Sequence, residues 1–179
     1  MKILKIALLL FLGIIALALI SAAFLEKEYA VEREIVINKP KAEVFNYVKM
    51  LKNQENYSLW ATMDPAMKKE FKGTDGEVGF ISAWDSDSAN VGKGEQEIIK
   101  IREGERIDYE LRFIEPFEAN DHAYMITEAV DMEKTKVKWG FNGKMDYPLN
   151  LMLVFMDMEN MLGKDLETGL QNLKAVLEK

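Results

Sequence analysis

The 179-residue chain has no cysteine and a single histidine, His122. Without cysteine there is no disulfide, no thiolate metal ligand, no thiol nucleophile and no lipid-modified N-terminal cysteine. A mononuclear zinc or non-haem iron centre ordinarily takes more than one imidazole. His122 stands beside Asp121 at a strand start and reads as a solvated strand-end side chain, so neither a metal nor another cofactor is expected. Nucleophilic catalysis lacks its components too: His122 has no recognisable serine partner, and no G-x-S-x-G elbow occurs. Gly92-Lys93-Gly94 is too short for a phosphate loop and reads as a hairpin turn.

Basic charge is also scarce. Lysine and arginine number 23 against 30 acidic residues, a net charge of −7. Setting aside Lys2 and Lys5 leaves 21 basic residues against the same 30, or −9 for the remainder. Such a surface lacks the footprint that a phosphate backbone requires, which excludes nucleic acid as an expected partner. It also has no general attraction to anionic lipid headgroups.

One long hydrophobic run is present. Residues 3–24, ILKIALLLFLGIIALALISAAF, carry only Lys5 as a charge and are long enough to cross a bilayer core as a helix. The alternative is a cleaved signal peptide. Ser21-Ala22-Ala23 has the small residues of a cleavage site, but the run exceeds the ~7–15 residues of a signal-peptide core. Lys2 and Lys5 favour a cytoplasmic N-terminus with the remaining chain on the non-cytoplasmic side, while Lys27 and Arg33 weigh against it. The expected organisation is an anchor over residues 1–25, a short linker and strand start over 26–31, and one domain over 32–179. A domain of that size has room for a sizeable core or an enclosed cavity.

From Tyr29 to Asn38 apolar Val31, Ile35 and Ile37 alternate with charge, as on a half-buried strand. Pro40 then opens a helix with Ala42, Val44, Phe45 and Val48 at helical spacing. A second short helix is expected around Lys52–Tyr57, and WATMDP reads as a loop. Strand-length segments follow at about 67–72, 78–86, 93–101, 106–114, 121–132 and 136–145. Their short connections require antiparallel neighbours. The tail from Pro148 to Glu178 is one long helix or a broken one, with a stripe at Met158, Leu162, Leu166, Gly169, Leu170, Leu173 and Leu177. This is an α+β order: a curved antiparallel sheet of about seven strands around a long C-terminal helix, with two short helices after strand 1 and an N-terminal transmembrane helix.

That order resembles the helix-grip fold of the START-like (SRPBCC) superfamily, which includes the birch-pollen allergen, lipid-transfer START domains and polyketide cyclases. VEREIVINKPKAEVFNYV looks like its opening strand and Pro-led helix. Trp60 with Asp64-Pro65, and then Val91-Gly92-Lys93-Gly94, look like its loop landmarks. LRFIEPFEA, KWGFNGKMDYPLNLM and GKDLETGLQNLK are similar to the bacterial polyketide cyclase/dehydrase-like branch. The chain departs from that branch around Trp60, where Tyr57 and Thr62 stand without a second tryptophan. It also departs at the first helix end, which reads Lys49-Met50. The resemblance implies a hydrophobic cavity between sheet and terminal helix but no particular reaction.

Side-chain alternation assigns faces to the strands. Ile107, Tyr109, Leu111 and Phe113 share one face, as do Val137, Trp139, Phe141 and Met145. The segment 121–132 is ambiguous, because Tyr124, Ile126, Glu128 and Val130 oppose the equally apolar Ala123, Met125, Thr127 and Ala129. If the first set points inward, Glu128 is a buried carboxylate beside Tyr109 and a candidate general acid. The aromatic set Trp60, Phe80, Trp84, Tyr109, Phe113, Tyr124 and Trp139 forms either a filled core or a cavity lining, and the resemblance favours lining. Within YPLNLMLVFMDMENMLGKD the apolar run is too short for a second span. Met145, Met152, Phe155 and Met156 are expected to line the cavity as adaptable walls.

The function expected from these readings is a membrane-tethered binding or carrier module for a hydrophobic small molecule or lipid. The leash Leu25–Tyr29 reaches roughly 17 Å at ~3.4 Å per residue, which keeps the domain near the bilayer. The alternative is a cyclase-, dehydrase- or hydrolase-type enzyme acting on an apolar substrate. A third reading is a scaffold whose cavity is filled and whose surface binds a protein partner, of unknown identity.

Overall fold

The computed structural model describes residues 2–88 and 91–179. In chain order it contains α1 (Lys2–Ala22), β1 (Glu28–Ile37), α2 (Lys41–Lys49), a 3-10 segment (Leu51–Asn56) and the single turn α3 (Leu59–Thr62). There follow β2 (Lys68–Lys72), β3 (Ile81–Asp85), β4 (Lys93–Arg102), β5 (Arg106–Glu115), β6 (Ala119–Ala129) and β7 (Thr135–Lys144). A second 3-10 segment (Leu149–Val154) leads into α4 (Met158–Leu177). The strands form one seven-stranded antiparallel sheet in the order β1-β7-β6-β5-β4-β3-β2. Register shifts in the β4–β5 ladder at Lys93/Gly94 and Ile98/Lys100 bend the sheet, as β-bulges do.

Burial follows the alternation read from sequence. Ile107 and Tyr109 on β5, and Val137, Trp139 and Phe141 on β7, point into the core beside Val44, Phe45 and Val48 of α2. The tail is the broken alternative. Asp157 caps α4 by accepting from the Asn160 N–H at 3.0 Å, and Leu166, Leu170, Leu173 and Leu177 of α4 join the core. Two glycines let α4 lie close on the sheet. A Cβ at Gly169 would stand 2.7 Å from the Trp139 ring, and one at Gly163 would meet the Arg33 guanidinium. Arg33 in turn donates to the Glu159 carboxylate at 2.6 Å and to the Glu159 carbonyl at 3.0 Å.

Local expectations shift around Trp60. WATMDP is not wholly loop: Leu59–Thr62 makes one helical turn, and the Thr62 hydroxyl donates to the Leu59 carbonyl at 3.0 Å. Asp64 then breaks the helix by accepting from the Ala66 N–H at 2.8 Å, a local turn that competes with helix continuation. α1 is long and apolar enough to cross a membrane, and the domain covers it only at Ala22.

Candidate functional site

The concave face of the sheet, the segment 51–63 and the start of α4 enclose a cavity of about 480 Å³. Register sets Gln96, Leu111 and Asp121 opposite one another on β4, β5 and β6, and this row lies on the cavity floor. Two aromatic corners stand on the wall. Trp84 meets Phe113 edge-on with centroids 5.8 Å apart, and Trp60 meets Trp139 edge-on at 5.9 Å. Gly94 makes the first corner possible, since a Cβ there would lie 2.6 Å from the Trp84 ring. Phe141 and Leu162 add to the lining, so all three tryptophans of the chain face one apolar space.

The polar groups on the wall are few. Asp121 is 5% exposed, and its Oδ1 accepts from the Lys144 N–H at 3.0 Å. Burial raises its carboxyl pKa above the ordinary value. Tyr29 lies over Gly143, and burial, reinforced by the Asp121 charge, pushes its phenol up to about 12. Gln54 is buried on the same wall, and its amide nitrogen has no hydrogen-bond partner among the described residues. A ligand oxygen placed there would satisfy it.

The rim has a definite position. Glu28 of β1 pairs with Lys144 of β7, Phe113 of β5 with Ala119 of β6, and Glu115 of β5 with Lys93 of β4. Tyr29, Val91, Met63 and the β5–β6 connection Pro116-Phe117 therefore lie at the sheet end where α1 enters, and they line the cavity there. Phe117 is 72% exposed and Met63 is exposed, which marks the open side. Along one flank, Lys69 and Glu55 form an ion pair at 3.3 Å.

Of the expected site residues, Trp60, Trp84, Phe113 and Trp139 line this cavity. Phe80 and Tyr109 are buried in the core outside it. The Tyr109 hydroxyl has no partner among the described residues, and burial raises its pKa far above the ordinary phenol value. Tyr124 is on the other face. β6 turns Asp121, Ala123, Met125 and Thr127 inward, so Tyr124, Ile126 and Glu128 face out. The Tyr124 ring lies over Gly140, its hydroxyl donates to the Glu32 carboxylate at 2.5 Å, and Arg106 stacks on it at 4.1 Å. Glu128 is exposed and pairs with Lys138 at 3.3 Å. The Glu128–Tyr109 acid–base pair is thereby corrected: the two side chains lie on opposite faces of the sheet.

The tail residues need a larger correction. Met152 and Phe155 are exposed, Met145 and Met156 are half-buried, and none of them lines the cavity. Their segment instead packs beside the end of α1, where the Asn150 side-chain amide donates to the carbonyls of Ala22 and Leu25 at 2.7 and 3.2 Å. Leu111 and Phe141 belong to the inward sets given by alternation, but alternation alone does not single them out as lining. Asp121 shares a period-two face with Ala123 and Met125, a signal obscured by its place at a strand start. Gln54 and Leu162 come from helical segments, and Ser58 from the extended link before α3, whose approach to the sheet no local pattern specifies. Among the described residues, no three His, Asp or Glu side chains cluster as a metal site would require.

A model of the polyketide cyclase/dehydrase and lipid transport family matches residues 29–178. No curated protein matches the chain in sequence. Solved structures share its fold at low identity. A Thermobifida fusca protein has a TM-score of 0.60 at 15% identity, covering 83% of this chain and 92% of its own. A Thermus thermophilus protein has 0.60 at 14%, covering 84% and 97%. The allergen structure Ara h 8.0201 has 0.57 at 19%, covering 84% and 98%.

Proposed function

The chain belongs to the polyketide cyclase/dehydrase and lipid transport family of the START-like superfamily, and within it we propose that this protein is a membrane-tethered binding or carrier module for a hydrophobic small molecule or lipid. One observation carries this reading: an aromatic-walled cavity of about 480 Å³ has its rim at the end of the sheet where the apolar helix α1 joins. A cavity of that kind holds a ligand by apolar burial, while a few polar groups fix its orientation. Gln54 and Asp121 are the groups that would do so here. α1 acts as the tether and keeps the rim near the bilayer, where amphiphiles are found. Lys2 and Lys5 favour a cytoplasmic N-terminus, with the domain on the other side.

The tryptophans make the test direct, because the only three in the chain all line the cavity. Titrating the detergent-solubilised full chain with a brominated long-chain fatty acid should quench most of the indole emission, saturably and near one equivalent. Emission unchanged across the titration would sink the reading.

A second reading is favoured by Asp121, a buried carboxylate of raised pKa beside Tyr29 on the cavity wall. It is a cyclase- or dehydrase-type acid–base catalyst in which Asp121 moves the proton. Turnover of a cyclisable polyketide mimic that disappears in Asp121→Asn, with ligand binding kept, would establish it. Equal turnover in both proteins would eliminate it.

A further inference from the structure

α1 spans 21 residues, about 32 Å at 1.5 Å per residue, which matches a hydrocarbon core of about 30 Å. Its last turn therefore marks the level of the bilayer interface if the tether reading holds. The chain returns to that same level 128 residues after Ala22, where Asn150 holds the carbonyls of Ala22 and Leu25. The Ala22 carbonyl closes α1 and also accepts from the Leu25 N–H at 3.4 Å, and the Leu25 carbonyl lies three residues past the helix end. Ala22 and Asn150 are both fully buried in this contact.

The sequence around Asn150 is unusual for a protein surface. No charged residue occurs from Tyr147 to Met156, and the one polar amide is turned inward onto α1. What remains outward is apolar: Tyr147, Leu149, Met152, Val154 and Phe155 are all exposed, Phe155 at 82%. A contiguous exposed apolar patch of this kind marks an interaction surface. It is too short to span and is not a regular helix, so it suits the interface plane rather than the core. Asp146 and Asp157 flank it, and the domain as a whole is acidic, so any lipid contact here is made by burial rather than by charge.

We propose that Tyr147–Met156 is a second membrane contact, an interfacial foot that lies in the headgroup region beside α1 and fixes the domain with its cavity rim facing the bilayer. This rests on the tether reading and adds an orientation to it. With α1 alone the domain would swing on its leash. With the foot inserted, Phe117 and Met63 on the rim are held towards the lipid, and an acyl chain or apolar solute has a path into the cavity that does not cross bulk water. The absence of native cysteine makes the geometry measurable one label at a time.

The test uses the full chain in zwitterionic phosphatidylcholine vesicles, with single labelled variants Phe155→Cys, Phe117→Cys and Met132→Cys. Met132 is 88% exposed and lies in the β6–β7 turn at the opposite end of the sheet, so it serves as the water-exposed reference. Headgroup- and acyl-level nitroxide lipids should quench the Phe155 and Phe117 labels several-fold more than the Met132 label, and raising the salt concentration should not change this. Flotation with the vesicles, read on the same samples, reports the tether. Chain that floats while Phe155 stays as water-accessible as Met132 overturns the foot and leaves the tether standing. Chain that does not float overturns both. A Phe155→Asp, Val154→Asp variant that floats but loses quenching at Phe117 would show that the foot sets the orientation.

Discussion

The Asn150 side-chain amide donates to the main-chain carbonyl of Ala22 at 2.7 Å, across 128 residues of sequence. The end of the apolar helix is thus capped by a residue of the folded domain. Removing the amide leaves the Ala22 carbonyl with only the longer bond from the Leu25 N–H at 3.4 Å, so the loss at that contact is that of one hydrogen bond, ~1 kcal/mol. Asn150→Ala is therefore expected to loosen the α1–domain junction without unfolding the domain. Trypsin cleavage after Lys27 should become several-fold faster while the urea midpoint of the domain stays put.

Gly169 and Trp139 give a second prediction. Alanine is intrinsically better than glycine in a helix by about 1 kcal/mol, but here its Cβ would lie 2.7 Å from a ring packed in the core. Overpacking of this kind costs about 1–3 kcal/mol. Gly169→Ala should lower stability in urea denaturation, and because Trp139 is a cavity wall, it should weaken ligand uptake as well.

Asp121 predicts a pH dependence. Its folded-state pKa is raised by burial, so the native state holds the proton more tightly than the unfolded chain does. Its contribution is favourable below the ordinary carboxylate value of about 3.9 and is lost as pH rises through the folded-state value. Comparing urea midpoints of wild type and Asp121→Asn across this range isolates the effect. The difference between them should shift in favour of the variant as pH rises to 7, and a difference independent of pH would contradict the assignment.

Leu111 stands mid-floor, between Gln96 and Asp121 in the cross-strand row. Leu111→Trp fills empty volume rather than packed core, so stability should change by less than about 1.5 kcal/mol. Binding of an apolar ligand should weaken by about tenfold or more, equivalent to about 1.4 kcal/mol. Ligand titration alongside urea denaturation separates the two effects.

Most of the sheet was legible because β5 and β7 alternate sharply between apolar and charged side chains, which fixes their inward faces. β6 was not, since both of its faces are apolar. Its register is settled by contacts that no local window contains: Asp121 with the Lys144 N–H, Thr127 with the Gly104 carbonyl, and Tyr124 folded over Gly140 to reach Glu32. The Met-rich tail misled for a related reason. An apolar, uncharged segment announces that it avoids water, but it does not say whether a cavity or another apolar element takes its place. Asn150, the polar residue within the run, is what binds the segment to α1.

Native mass spectrometry of the full chain released from a mild detergent shows whether the cavity carries an apolar ligand. With a ligand in the cavity, a population appears that is heavier than the bare polypeptide by the mass of one lipid or comparable apolar molecule, lost on activation and absent from Leu111→Trp. Only the bare mass, before and after incubation with lipid extract, would contradict ligand carriage.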